Sequence, residues 1–226
     1  MSTGYLITGT GARVGKTVVG CALGFAFRAR GLRVGVMKPV ETGCDPRGAE
    51  LDPADARALA LASGCALPIE VMCPYRYRSP LTPRAAAQAD SAPEPDLGVI
   101  HDCFDRIAAA SDIVLVESPG SLSEGLNRDA DFTDLALALG LAAIVVIANR
   151  RGGIEAAIDT LGHAAQKGLS VAGWIMNDAD PSTLPDAPQA AALLSARTAV
   201  PCLGTMRFKE PLGIQAVEQL LARHRR

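Results

Sequence analysis

The stretch Gly9-Thr10-Gly11-Ala12-Arg13-Val14-Gly15-Lys16-Thr17 decides how the rest of the chain is read. It follows a short apolar run, Tyr5 to Thr8, and opens a segment of helical periodicity from Gly15 to Ala29. A strand, a glycine-rich turn ending in Gly-Lys-Thr and a helix form the context of a phosphate-binding P-loop. Glycines let the backbone bend so that successive N–H groups face inward, and the helix N-terminus adds the positive end of its dipole. Lys16 supplies a full positive charge, and the Thr17 hydroxyl is a candidate ligand for Mg²⁺. Thr10 stands where the first glycine of G-x-x-x-x-G-K-[ST] is usual, with glycines on both sides, so the match is a variant. A ligand-free turn would explain the glycines but not the Lys-Thr pair after them.

Outward from this motif, further apolar runs of strand length lie at Val34 to Met37, Ile113 to Val116, Ala143 to Ala148, Val171 to Met176 and near Cys202 and Leu203. Helical patterns alternate with them: Pro53 to Ala62, Leu97 to Ala110, Asp131 to Leu139, Ile154 to Gln166, Pro188 to Ala196 and Gly213 to Arg223. Such alternation predicts an α/β fold of the P-loop NTPase type, with a mostly parallel sheet and helices on both faces. The segment Leu67 to Pro95 follows no clean period and reads as an excursion, and Pro181 to Pro188 reads as a loop. No internal repeat or linker divides the chain, so residues 1–226 are expected to form a single ATP-binding domain.

Composition agrees: 49% of the 226 residues are hydrophobic but only 4% aromatic. A core of Ala, Val, Leu and Ile suits helices packed on a buried sheet. The formal net charge of −2, without a long run of one sign, argues against a nucleic-acid or anionic-membrane partner and for a small-molecule one. Six cysteines without a C-x-x-C pair, and no signal-peptide pattern, suggest reduced thiols in the cytoplasm. No apolar stretch approaches a membrane span.

Other candidates cluster at strand ends, where open α/β sheets bind ligands. Lys38-Pro39-Val40-Glu41-Thr42-Gly43 brings a second lysine there, which reads equally well as a solvated strand end. Glu117 closes Val114-Leu115-Val116, and a strand-terminal carboxylate facing a P-loop commonly holds the metal. Asp55 sits in a first helical turn, where the helix dipole alone would favour it. Asn177-Asp178 closes another strand; an Asn amide offers a donor and an acceptor to a purine edge, or caps a turn. His101, His163 and His224 lack metal-ligand spacing, and G-x-S-x-G is absent.

In order and spacing, the P-loop, Lys38 to Gly43, Glu117 and Ala172-Gly173-Trp174-Ile175-Met176-Asn177-Asp178 resemble the dethiobiotin synthetase family. Pro74-Tyr75, Ser79 to Pro83 and Gly168-Leu169-Ser170 extend the resemblance over nearly the whole chain. The resemblance implies ATP- and Mg²⁺-dependent conversion of 7,8-diaminononanoate and CO₂ to dethiobiotin, ADP and phosphate. It further implies that Lys16 and Lys38 are catalytic, that Thr17, Asp55 and Glu117 hold Mg²⁺, and that Thr42, with Lys38, meets the substrate. It places the nucleotide against Ala12, Arg13, Val14, Gly15, Lys16, Thr17, Val18, Asp55, Glu117, Gly120, Asn177, Asp178 and Arg207, with Asn177 reading adenine. It also implies a homodimer with active sites near the interface.

Four departures bear on the substrate and nucleotide. Glu117-Ser118-Pro119-Gly120-Ser121 replaces the family's Glu-Gly-Ala-Gly-Gly, and Gly152-Gly153-Ile154-Glu155-Ala156 replaces Gly-x-Ile-Asn-His. Ala12-Arg13 replaces a Thr-Glu pair, and Arg207 replaces a proline. A related ligase acting on another amine or acid would be distinguished by the 118–121 and Glu155 regions. A nucleotide switch resembling the partition and septum-site ATPases would carry an extra lysine early in the P-loop, which this chain lacks.

Overall fold

The six apolar runs become the six strands of one parallel sheet. The computed structural model describes residues 3–48, 50–178, 187–207 and 214–224. In chain order come β1 (Thr3–Gly9), α1 (Lys16–Arg28), β2 (Val34–Met37), β3 (Val40–Thr42), β4 (Asp45–Arg47), β5 (Glu50–Asp52), α2 (Ala54–Ser63) and α3 (Ile69–Met72). Next are β6 (Tyr75–Tyr77), α4 (Pro83–Ala89), α5 (Leu97–Ala109), β7 (Ile113–Glu117), α6 (Phe132–Ala138) and β8 (Ala142–Ala148). The chain continues with α7 (Gly153–Gln166), β9 (Val171–Asn177), α8 (Ala187–Ser195), β10 (Cys202–Met206) and α9 (Ile214–His224). Most of the Pro181 to Pro188 loop, the Gly213 start of the last expected helix and the tail residues Arg225 and Arg226 lie outside the described residues.

The strand order is β10-β9-β8-β1-β7-β2, every pairing parallel. From β1 the chain runs out to the β2 edge and fills β7 in between. It then crosses back to β8 and continues outward to β10. The two neighbours of β1 are thus reached in opposite directions, which opens a crevice at its carboxyl end. The P-loop leaves β1 at that point.

Alternation along β1 sorts its side chains to two cores. Tyr5 and Ile7 pack with Val19, Leu23 and Phe27 of α1 and with Val217 and Leu220 of α9. Leu6 packs on the other face with Ile100 and Ile107 of α5 and Phe132 and Leu135 of α6. The Tyr5 hydroxyl donates to the Leu220 carbonyl at 3.0 Å and fastens α9 to the central strand.

The irregular excursion contains three short elements, α3, β6 and α4, too brief to show a period. β6 pairs in parallel with β3 in a small second sheet, registering Thr42 opposite Tyr77. This sheet holds the segment after Lys38 at the carboxyl edge of the main one. β4 and β5 form an antiparallel hairpin that leads into α2.

Candidate active site

The turn between β1 and α1 has the positive φ angles a phosphate cradle needs: Gly11 at +153°, Arg13 at +56° and Gly15 at +90°. Gly15 is required twice over, since a Cβ there would also fall 2.0 Å from the Asn177 amide nitrogen. Arg13 is a non-glycine residue in left-handed backbone, a conformation costing of order 1–3 kcal/mol and retained mainly at functional sites. Asn177, at the end of β9, donates its Nδ2 to the Val14 carbonyl at 2.8 Å and braces the loop from below. The N-cap residue of α1, Gly15, has no side chain to cap it. Its first N–H groups are therefore available to an anion. Lys16 is buried and folds back to donate to the Gly11 carbonyl at 2.9 Å.

The second lysine is held differently. Lys38, just beyond β2, donates to Asp55 Oδ2 at 2.8 Å and to Glu117 Oε1 at 2.5 Å. Glu117, ending the neighbouring β7, also accepts from the Thr17 hydroxyl at 2.9 Å. Lys38, Asp55, Glu117 and Thr17 thus converge beneath the P-loop from four separate elements. Lys38 and Glu117 are only 3% and 1% exposed, whereas Asp55 is 43% exposed, so Glu117 is the principal counter-charge.

Electrostatics separate the two lysines. Burial, then the charge of nearby Lys38, lowers the Lys16 pKa to about 8. Burial acts on Lys38 in the same direction, but Glu117 and Asp55 outweigh it and raise its pKa. For Asp55, burial is opposed and overcome by Lys38, Thr17 and Lys16, which lower its pKa. Lys38 is a cation with its counter-ions in place. Lys16 forms no ion pair among the described residues and donates to the Gly11 carbonyl.

A divalent cation can be tested against these atoms. Glu117 Oε2 is buried with no hydrogen-bond partner among the described residues. An orphaned carboxylate oxygen is costly unless something binds it. The Thr17 hydroxyl meets the other oxygen of the same carboxylate, Oε1, and Asp55 is joined to that oxygen through Lys38, so the donors available are all oxygens. Among the described residues no cluster of three or more His, Cys, Asp or Glu side chains could hold a metal. Mg²⁺ does not need one, because it binds through one or two carboxylates plus substrate phosphates and water. Thr17, Asp55 and Glu117 fit that requirement.

Other expected residues are more dispersed. Gly120 lies in the loop after β7, its carbonyl accepting from the Thr8 hydroxyl of β1 at 3.5 Å, and Thr42 is half-buried at the end of β3. Asp178 follows β9 and accepts from Asn149 Nδ2 at 2.7 Å. Ala12, Arg13, Val18 and Arg207 are exposed. Glu155 is exposed in the first turn of α7. The Ser118 hydroxyl turns inward, to Thr8 Oγ1 at 3.1 Å and the Gly120 carbonyl at 3.0 Å, so this departure is absorbed by the fold.

Three residues gain roles that sequence reasoning did not assign. Glu41 accepts from the backbone N–H groups of Asp55 at 2.9 Å and Ala56 at 3.0 Å. It caps α2 from a distant strand because the N-cap residue, Pro53, has no capping side chain. The cap sets the first turn of α2, and with it Asp55. A proline at a helix start was the available signal that the cap must come from elsewhere. Asn149, after β8, is tied to Asp178 and to the Asn177 carbonyl. The third, Glu124, is half-buried, and its carboxylate lies against Gly120 in the fields of Lys16 and Lys38.

Comparison with known proteins bears on this geometry. The family model described as "AAA domain" matches residues 3–215. "ATP-dependent dethiobiotin synthetase BioD" of Anaeromyxobacter sp. (strain K) is 35% identical over 223 residues, covering 99% of this chain and 94% of that protein. The protein of the same name from Anaeromyxobacter dehalogenans (strain 2CP-C) matches at the same identity and coverage. Among solved structures, the septum-site determining protein MinD of Pyrococcus horikoshii OT3, complexed with Mg-ADP, superposes with a TM-score of 0.58 at 16% identity, covering 97% of this chain and 86% of that one. The hydrogenase maturation factor HypB of Archaeoglobus fulgidus gives 0.59 at 12% identity, covering 99% and 90%. These likenesses show the P-loop NTPase fold. No helix among the described residues is long and apolar enough to cross a membrane. With a P-loop at the switch point of its sheet and relatives matched over almost their full length, the chain belongs to the ATP-dependent dethiobiotin synthetases, ATP-using ligases of biotin biosynthesis.

Proposed function

We propose that this protein converts 7,8-diaminononanoate, CO₂ and ATP to dethiobiotin, ADP and phosphate. The observation that carries the reading is the pair of buried lysines at the switch point of the sheet, Lys38 paired with Glu117 and Asp55, and Lys16 without an ion pair among the described residues. One amine of the substrate adds to CO₂, forming a carbamate and releasing a proton. A carbamate oxygen attacks the γ-phosphorus and ADP leaves. The second amine attacks the resulting carbonyl carbon, phosphate leaves and the ring closes as a urea.

Each stage gathers negative charge at the end of β1, where preorganised cations are worth most. Lys16 exchanges the Gly11 carbonyl for a phosphate oxygen. Lys38, fixed by Glu117 and Asp55, faces the carbamate and the transferring phosphoryl group, and Thr42 meets the substrate. Asn177 and Asp178, with Arg207, flank the nucleotide on the β9–β10 side, where Asn177 has an amide oxygen to offer adenine. Thr17, Asp55 and Glu117 would hold Mg²⁺, whose chemistry there would be to neutralise negative charge on the nucleotide.

In this reading residues 1–226 work as one nucleotide-binding domain, in the cytoplasm, as a homodimer with its sites near the interface. The continuous six-stranded sheet supports the single domain. Sedimentation equilibrium of the purified chain tests the dimer. A second reading, the same chemistry on another amine, is favoured by one feature: Glu155 puts a negative charge at the start of α7, where a fatty-acid-like substrate's own carboxylate would be repelled. The assay is ADP release with Mg-ATP and bicarbonate, with and without 7,8-diaminononanoate, alongside mass detection of dethiobiotin. Diamine-dependent formation of both supports the first reading; ATP binding without dethiobiotin transfers support to the second.

A further inference from the structure

Resting on the amine-carboxylation reading above, we propose that Glu124 receives the substrate's ammonium group and takes its proton, freeing the nitrogen to attack. The loop that carries it is pinned to the foot of the P-loop. Ser118 N–H donates to the Ile7 carbonyl at 3.0 Å, and the Ser118 hydroxyl holds the Gly120 carbonyl at 3.0 Å. From there the chain turns back on itself, with Glu124 N–H donating to Ser121 at 3.3 Å and Phe132 N–H donating to the Glu124 carbonyl at 3.3 Å. The turn lays the carboxylate directly on Gly120, so closely that a Cβ there would come 1.7 Å from Oε2. Ser121, Leu122 and Ser123, immediately before it, join Thr10 of the P-loop and Asp159 of α7 in lining a cavity of about 230 Å³.

Glu124 is a carboxylate without an assignment in a site built for anions. Glu117 and Asp55 already neutralise Lys38. Glu124 feels both Lys16 and Lys38 yet forms no ion pair with either among the described residues. A negative charge so near the phosphate-binding lysine weakens nucleotide binding unless it serves a cation; Mg²⁺ has Thr17, Asp55 and Glu117, and the other cation this reaction brings is an alkylammonium. An ammonium cannot attack CO₂. Transfer of its proton breaks one N–H bond, forms an O–H bond on Glu124 and leaves the lone pair on nitrogen; the proton later passes to water. Burial raises the Glu124 pKa against the opposing effects of Lys16, the Ser121 N–H and Lys38, which makes the carboxylate a better acceptor. The charged groups facing it are Lys16 of α1 and Lys38 beyond β2.

The test uses the full chain and the nearly isosteric Glu124→Gln variant. Calorimetry with Mg²⁺ and a non-hydrolysable ATP analogue measures binding of 7,8-diaminononanoate and of a linear 1,2-diamine lacking a carboxylate. Steady-state assays give kcat/KM for the diamine across pH. The expected result is at least a tenfold loss in diamine binding, unchanged or tighter nucleotide binding, and loss of the acid limb of kcat/KM, with partial recovery in Glu124→Asp. Unchanged diamine binding overturns the inference, as does an equal loss for nucleotide and diamine. If wild-type protein neither binds nor converts diaminononanoate, the functional reading fails by itself. The carboxylate-free diamine then decides on Glu124: binding that Glu124→Gln weakens upholds ammonium recognition, and absence of binding overturns it.

Discussion

Lys38 and its two carboxylates concentrate the protein's electrostatic risk in a few atoms. A buried ion pair adds little net stability, but removing one partner leaves an uncompensated charge and costs about 3–5 kcal/mol. Glu117→Ala is therefore expected to lower the melting temperature by roughly 6 to 20 °C, at about 2–4 °C per kcal/mol for a chain of this size. Asp55→Ala should cost much less, because solvent screens a carboxylate that is 43% exposed. Equal losses in the two variants, measured by calorimetry, would contradict the assignment of Glu117 as principal counter-charge. Lys38→Ala should lower kcat/KM by about 30- to 1000-fold, the equivalent of roughly 2–4 kcal/mol for a removed electrostatic donor. Because that variant also strands Glu117, rates are to be compared at matched folded fractions; near-normal turnover would reject the catalytic role. Lys16 and Thr17 were legible in the sequence because the motif specifies them, whereas Lys38 by spacing read equally well as a solvated strand end. Glu124 was not legible, since its meaning lies in its approach to Gly120, which no spacing encodes.

Among the elements, α2 shows how a local deficit becomes a link to the site. Pro53 presets the helical turn but has no oxygen to satisfy the first amides, and Glu41 of β3 does so across 14 residues of chain. Glu41→Ala should cost about 1–2 kcal/mol for the lost cap. It should also raise the KM for Mg-ATP, since Asp55 rides on the capped turn; a stability loss with unchanged KM would confine Glu41 to folding. The six strands of the main sheet could be read as continuous apolar runs, and the seven main helices from a period repeated over enough residues to register. β3, β6 and α3 have three or four residues each, less than a period can reveal, and their positions depend on pairing with each other and with the sheet edge. Asn177 was visible at a strand end, but its bond to Val14 arises only when β9 and the P-loop meet.

For the molecule as a whole, both faces of the sheet are filled by small and branched aliphatic side chains, with little aromatic mass, and the thiols join that packing. Burial pushes the Cys44 pKa up to about 12, with neighbouring Glu41 adding to the effect, and holds Cys73 well above its ordinary range. A raised folded pKa means that the native state keeps a proton which the unfolded chain releases above about pH 8.5. The associated stability is complete below that pH and is lost progressively toward about pH 12. Urea midpoints in reductant should fall between about pH 8 and about pH 10.5, less steeply in Cys44→Ala; identical slopes would assign the loss to other groups. Trp174, the single tryptophan, is fully buried and serves as the unfolding probe. The central claim, that two lysines at the switch point drive an ATP-dependent carboxylation of a diamine, is tested most directly by ¹³C-bicarbonate. Wild-type protein with Mg-ATP and 7,8-diaminononanoate should yield dethiobiotin carrying the label in its ureido carbonyl, one label per ADP released, and Lys38→Ala should yield almost none. ADP release without labelled product, or equal labelling in the variant, would contradict it.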